Sequence, residues 1–600
     1  MNILLCLILT IAVFYFSYKK YSGFLSRTFG IDDKNPTPAS SRCDLKDYIP
    51  GKTGVVFSHH FASIAGGGPI IGPTLALIYG FYPSLLWIII GTIFIGAVHD
   101  FAAMFISVRE GGKTIADITN RTLGKTGYIL FILFVLFLAV LVTSAFLGLT
   151  ATALTSLVPA KTVGIVGAIH ELPLQTTTDP KTGQEMVRIG GIASTSVIVI
   201  TLFAPIMGLL LYRKGLSVLN ASILSIVVCI FSVWIGIYYP MQLSPRIWML
   251  LLTAYVFLAS GAAVWLILQP RDFINSFILY GGLAALIISI VITGLKGSAV
   301  TYPAINIAEG GAKLGYIWPM LFITIACGAI SGFHSVIASG TTSKQISKET
   351  DARKIGYGAM LLEGLLAVTV IITVSSGLDF SRYSSIVFPQ DPLAGSNPIL
   401  AFALGMGGLI NNAMGLPVYF GALFGIILLE GFLATTLDTT VRLNRYLFEE
   451  LWDVLFKNPP AFMKSHYFNA GLSVALMFIF AYKQTFLTLW PIFGAANQLL
   501  AALTLLTVSV WLLKRKTKAY FAIIPAAFMI VTTTGSLIYL LITKYIPARN
   551  QLLIIFDLAL LFLSIGLIFI AWKTVSGFLK GEAIPASEPI TISPALKGED

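Results

Sequence analysis

Apolar residues fall in runs of about twenty along nearly the whole chain, separated by short polar connections. Each run is long enough to cross a hydrocarbon layer as a helix, and together they give about fifteen spans. The spans cover residues 2–18, 55–79, 83–107, 127–158, 192–212, 216–239, 245–268, 273–295, 315–341, 356–377, 416–440, 467–482, 488–513, 519–543 and 550–578. The pattern predicts an all-α polytopic membrane protein with one integral membrane domain over residues 1–600. The first run, Asn2 to Tyr18, has the apolar core of a signal peptide. No small-residue cleavage site precedes the basic "KKYSG", so it reads as a retained helix.

Two spans are interrupted. "FSHHFASIAGGGPIIGP", Phe57 to Pro73, packs four glycines and two prolines between Gly66 and Pro73, where a continuous hydrogen-bond ladder cannot persist. "CGAISGFHSVIASGTT", Cys327 to Thr342, combines glycines, hydroxyl residues and a histidine. Close helix packing through small residues is the plainer reading of such stretches. It explains Gly66-Gly67-Gly68-Pro69 poorly. Irregular backbone at membrane depth needs protein or water around it, so the breaks predict a lined cavity.

Loop charge orients the chain. Placing "KRKTK", Lys514 to Lys518, in the cytoplasm puts Arg442, Arg445, Lys457 and Lys464 inside, with Lys344, Lys348, Arg353 and Lys354. Arg213-Lys214 and the loop holding Arg109, Lys113, Arg121 and Lys125 follow, as does the 19–52 segment with Lys19, Lys20, Arg27, Lys34, Arg42, Lys46 and Lys52. The 159–191, 296–314 and 378–415 regions fall outside, provided "NPILAFALGMGGLI", Asn397 to Ile410, does not cross. The amino terminus is then outside and the carboxyl terminus cytoplasmic. The two broken spans run in opposite directions, the arrangement of inverted-repeat secondary transporters, whose half-helix ends bind substrate near the midplane. Residue-by-residue similarity between the halves is weak, so the inversion rests on topology.

Composition agrees with a membrane location. The 600 residues are 56% hydrophobic and only 11% charged, with a mean hydropathy of +0.86. The net charge of +12 therefore reads as basic loops on a lipid-embedded protein, with no nucleic-acid partner. Cys6, Cys43, Cys229 and Cys327 are scattered without metal-ligand spacing and predict no disulfide framework.

The candidate binding residues sit at the breaks: His59, His60, Gly66, Gly67 and Gly68 at the first, and Ser331, Gly332 and His334 at the second. Histidine titrates near neutral pH and suits proton coupling or carboxylate binding. Adjacent helical positions point about 100° apart, so at most one of His59 and His60 faces the cavity. His334 is placed to face His59 across it. His99, Asp100 and Glu430 are candidates for proton coupling, because an ionisable residue inside a span marks a functional path by default. Glu363 and Glu430 both lie within spans, where a protonated structural role competes, and Glu430 is the favoured carrier. Asp438 and Arg442 share a helix face at a spacing of four and read as a structural ion pair. Asn497 and Gln498 read as helix–helix hydrogen-bonding residues.

Several ordered stretches resemble the carbon starvation protein CstA family: "NPTPA" (Asn35 to Ala39), "DYIP" (Asp47 to Pro50), "HHFASIAGGGPIIGP" (His59 to Pro73), "GAVHDF" (Gly96 to Phe101), "SGFHSVIASGTTSK" (Ser331 to Lys344), "TTLDTTVRLNRYLFEE" (Thr435 to Glu450) and "LWPIFGAANQLLAAL" (Leu489 to Leu503). The resemblance runs from about residue 31 to about residue 515. It implies a bacterial inner-membrane importer of peptides during nutrient starvation or of pyruvate with protons. It also implies a LeuT-type five-plus-five inverted-repeat core, as in the amino acid/polyamine/organocation transporters. The repeats would span 55–239 and 315–513, followed by C-terminal helices and a tail over 514–600, with 397–410 an external helix of the second repeat. By analogy with that fold, the Ala65 and Gly66 carbonyls with the Thr435 and Thr436 hydroxyls would form a sodium cradle.

No GxxxxGK[ST] phosphate loop is present, which argues against ATP drive within this chain. A haem-bearing oxidoreductase using His59, His60, His99 and His334 as axial ligands is the competing class. With six histidines in all and no second redox motif, no cofactor and no metal are expected. A channel or nutrient receptor is a third class. The favoured reading is a secondary transporter whose partners are a small-molecule substrate, a coupling proton or sodium ion, and the lipid bilayer.

Overall fold

The structure is a computed structural model that describes residues 1–43, 48–160, 176–178, 183–262, 266–390, 396–456, 458–483 and 486–579. Lys46, Asp47 and Lys457, most of the 159–191 loop, and the tail from residue 580 lie outside the described residues.

Among the described residues the elements are helices, apart from two isolated bridges and a small antiparallel sheet in the 155–188 connection. There Glu185–Val187 pairs with both Val158–Pro159 and Thr176–Thr178. Among the described residues, eleven helices are long and apolar enough to cross a membrane. The number becomes twelve if the bent pair Val56–Ile64 and Gly68–Tyr79 is one span. Three of the fifteen expected spans are not among these, each for a local reason. Pro245–Gly261 is apolar but only 17 residues long. In His466–Lys483 the terminal His466, Asn469 and Lys483 dilute the apolar stretch. The 315–341 span is two separate helices of 8 residues, Ile317–Thr324 and Phe333–Gly340.

The expected helix at 397–410 is present as Pro398–Met414, also too short for a full span. It lies directly on the helix Gly358–Gly377 through facing glycines. A side chain at Gly377 would collide with the Gly405 carbonyl, so the backbones touch as small residues permit.

Both breaks have visible causes. The first half-helix, Thr53–Ile64, stops at Ala65, whose ψ of 63° is not helical. A new helix, Gly68–Ala76, starts with Pro69 in its first turn. Proline is favoured there because its missing N–H falls where no helical acceptor exists. The two halves are bent by 42°. In the second break, Ile325 leaves the helical region at ψ 76° and the chain resumes at Phe333. A π-helical segment, Thr92–Gly96, precedes the helix Ala97–Arg109. Such single-turn bulges shift the register of the side chains that follow, and here Gly96 is pressed against the Ala329 carbonyl of the second break.

Candidate functional site at the meeting of two broken helices

The two breaks touch. A Cβ built on Gly68 would lie 2.5 Å from the Cβ of Cys327, and one on Gly72 would lie 2.5 Å from the Thr324 carbonyl oxygen. Only residues without a Cβ allow backbones to approach this closely. The helix Val418–Leu455 closes a third side, with Thr436 Oγ1 2.6 Å from the Cβ position of Gly66 and Leu433 Cδ2 2.5 Å from that of Gly67.

The breaks differ in how their backbone groups are satisfied. At the second, Asn497 Oδ1 accepts from the Phe333 N–H at 3.0 Å, and the Asn497 carbonyl accepts from the Gly332 N–H at 3.0 Å. Asn497 Nδ2 donates to Ser331 Oγ at 3.0 Å. Gln498 Nε2 donates to the Phe322 and Ile325 carbonyls at 2.7 and 3.1 Å. Neighbouring amides thus cap both halves, and Ser331 and Gly332 are turned toward the Phe486–Lys514 helix. At the first break, neither the Gly67 nor the Gly68 N–H has an acceptor among the described residues. Free N–H groups at a helix start attract an anion.

A chain of ionisable side chains lies against this junction. His99 and His334 both present Nδ1 to the Asp100 carboxylate, at 2.7 Å to Oδ1 and 2.8 Å to Oδ2. His334 Nε2 lies 3.4 Å from Glu363 Oε2. None of the four side chains is more than 1% exposed. Beyond the His334 approach neither Glu363 oxygen has a hydrogen bond, and His99 Nε2 has none. Buried groups of this kind are costly unless paired, and here Glu363 and His334 Nε2 are left as close neighbours without a hydrogen bond between them.

Other predicted residues are placed differently. His334 meets Asp100 and Glu363 rather than His59. His60 is buried, with Nδ1 2.9 Å from Thr342 Oγ1, so it faces the second broken helix. His59 is partly exposed, and its side chain has no partner among the described residues. Glu430 is fully buried without a hydrogen bond and stands apart from the histidine chain.

The expected Asp438–Arg442 pair is not formed. Arg442 reaches the Ala262 carbonyl at 3.2 Å, while Asp438 pairs with the buried Arg271. Tyr255 Oη donates to Asp438 at 2.9 Å and accepts from Arg271 at 2.6 Å. Thr435 donates to Asp272 at 3.0 Å. Sequence reading passed over Arg271 and Asp272 because "QPRD" fell at the edge of two predicted spans; the helix starts earlier, at Leu268. Arg271→Gln strands a buried carboxylate and should destabilise the protein by about 3–5 kcal/mol. Arg442→Gln should change stability by less than about 1 kcal/mol. Thermal unfolding in detergent checks both, and Asp438→Asn should recover part of the Arg271→Gln loss.

Among the described residues, no group of three or more His, Cys, Asp or Glu is arranged to hold a metal ion. The four cysteines are free.

The profile of the carbon starvation protein CstA family matches residues 2–395 and 376–536. The chain belongs to the CstA family. It is 30% identical to the peptide transporter CstA of Helicobacter pylori strain J99, over 92% of this chain and 83% of that protein. The pyruvate/proton symporter BtsT of Escherichia coli K12 is 29% identical, over 88% and 80% respectively. A solved manganese transporter of Eremococcus coleocola covers 90% of this chain and 99% of its own at 12% identity and a TM-score of 0.46. That likeness is too distant to carry an argument. The CstA-family membership and the membrane-length helices make this a transporter-family protein of the membrane.

Proposed function

We propose that this CstA-family protein is a proton-coupled secondary transporter that imports a small carboxylate or a peptide across a bacterial inner membrane during nutrient starvation. The observation that carries the reading is the junction of the two broken helices, with His99, Asp100, His334 and Glu363 buried beside it. The named relatives carry peptides or pyruvate, and both substrates present a carboxylate. The unbonded N–H groups of Gly67 and Gly68 suit that group. His334 would hold or release a proton at Nε2, with Glu363 as its exchange partner and Asp100 keeping Nδ1 protonated. His60, buried on the first half-helix, would relay the change to the second broken helix through Thr342. One repeat, 55–239, would then move against the other, 315–513, as a LeuT-type core, with the amino terminus outside and the carboxyl terminus cytoplasmic.

Sodium coupling through Ala65, Gly66, Thr435 and Thr436 is the second reading. The contact of Gly66 with Thr436 favours it. The Arg271 guanidinium beside Thr435 opposes it, because a second cation there would be repelled in a low-dielectric site. Uptake of labelled pyruvate and of a labelled dipeptide by reconstituted vesicles, with proton and sodium gradients imposed separately, tests the proposal. Accumulation should follow an inward proton gradient and collapse with a protonophore. Accumulation driven by sodium alone would overturn it.

A further inference from the structure

A groove of 590 Å³ opens on the outside of the bundle, away from the helix breaks. Its walls come from the helix Ile3–Phe16 with the π-helical segment Ser17–Tyr21 after it, the first turns of the half-helix Thr53–Ile64, and the helix Gly358–Gly377 with the π-helical segment Arg353–Tyr357 before it. The lining is apolar along its length, through residues such as Ile11, Phe57 and Leu365. Its size falls within the range of about 300–1,000 Å³ typical of small-molecule sites.

One end is cationic. Lys354 lines the groove and is exposed. Lys19 lies over the ring of Tyr15, another lining residue, at 5.8 Å from its centroid. Arg353 stacks on Tyr18 at 4.9 Å and donates to the Tyr18 carbonyl at 2.8 Å. Lys52 precedes the first lining residue of the half-helix and is exposed. Asp351 offsets part of this charge, since it pairs with Lys354 at 3.1 Å. The groove is therefore an apolar channel with a net positive mouth, at the ends of membrane helices.

We infer that this groove binds one anionic phospholipid, with an acyl chain along the apolar wall and the phosphate at Lys19 and Lys354. Basic pockets between membrane helices have the charge and depth that such headgroups need. The site also has a mechanical consequence. Thr53, Gly54 and Phe57 belong to the half-helix that leads into the first break, so a bound lipid braces that half-helix against its two neighbours. Anionic lipid should therefore change the transport rate as well as bind.

Native mass spectrometry of the purified protein, with phosphatidylglycerol and phosphatidylethanolamine added together, tests the inference. The wild type should retain one phosphatidylglycerol. Lys19→Gln with Lys354→Gln should weaken that retention about twenty-fold, while Lys516→Gln with Lys518→Gln, which removes two exposed lysines elsewhere, should leave it unchanged. Gly54→Leu tests the position independently of charge. A Cβ at Gly54 meets nothing within 4 Å, so the larger side chain can fill the groove while the helix folds. It should abolish retention. In vesicles, adding phosphatidylglycerol to phosphatidylethanolamine should speed uptake by the wild type and not by the Lys19/Lys354 variant. Equal retention of both lipids by the wild type would overturn the inference, as would wild-type retention by either the Lys19/Lys354 variant or Gly54→Leu. These readouts are independent of which substrate is carried.

Discussion

Asp100→Asn should abolish accumulation of substrate against a gradient, lowering proton-driven uptake by at least about 100-fold. Asp100 accepts hydrogen bonds from His99 and His334 at once. An amide can accept from only one of them and turns its NH2 toward the other, setting donor against donor. The tautomer of His334 is then lost, along with the fixed charge that holds its Nδ1 proton. Removing one partner of a buried charged pair costs about 3–5 kcal/mol, so the variant must first be shown to fold, by its yield and unfolding temperature. Glu363→Gln separates coupling from folding. It keeps the size and shape of the side chain and removes only the titrating oxygen. It should retain exchange of labelled for unlabelled substrate across the vesicle membrane while losing proton-driven accumulation. Wild-type accumulation by Glu363→Gln would remove Glu363 from the proposed path. Wild-type accumulation by Asp100→Asn would remove the whole histidine chain.

Glu363 illustrates where sequence reading stops. A single glutamate in an apolar span looks the same whether it stands alone or faces a histidine from another helix. Glu430 had the more central position in its span, yet it is Glu363 that reaches His334. Arg271 was hidden for a different reason. It lies where a connection between two spans was expected, and only the early start of the Leu268–Leu295 helix carries it into the interior. The i,i+4 spacing of Asp438 and Arg442 was a correct statement about one helix face. Asp438 instead pairs across helices with Arg271, because Arg271 is buried beside it while Arg442 can reach a carbonyl near the surface. The breaks themselves were legible. The run Gly66-Gly67-Gly68-Pro69 ends one helix and starts another at Gly68, and that is a local property, whereas Gly72 and Pro73 lie inside the second half-helix. The contact between the breaks is not local, and no feature of either segment alone predicts that Gly72 meets Thr324.

That contact makes Gly72→Ala the sharpest test of the junction. The added methyl would lie 2.5 Å from the Thr324 carbonyl oxygen and 3.2 Å from the Ile325 Cα, both backbone atoms of the second break. Backbone cannot rotate away as a side chain can, so the two half-helices must separate. Overpacking a tight contact costs about 1–3 kcal/mol, and a shift of about 1 Å in a binding geometry can cost about 100-fold in rate. Uptake should therefore fall far more than stability does. Gly67→Ala is the graded comparison. Its nearest neighbours are the ends of Leu433, Ile71 and Phe146, which are side chains able to give way, so it should keep measurable uptake, whereas Gly67→Leu should lose it without loss of membrane expression. Gly148→Ala, with nothing within 4 Å, is the neutral control. If Gly72→Ala transports like Gly148→Ala, the two breaks do not need their close approach, and the binding site must be sought away from their junction.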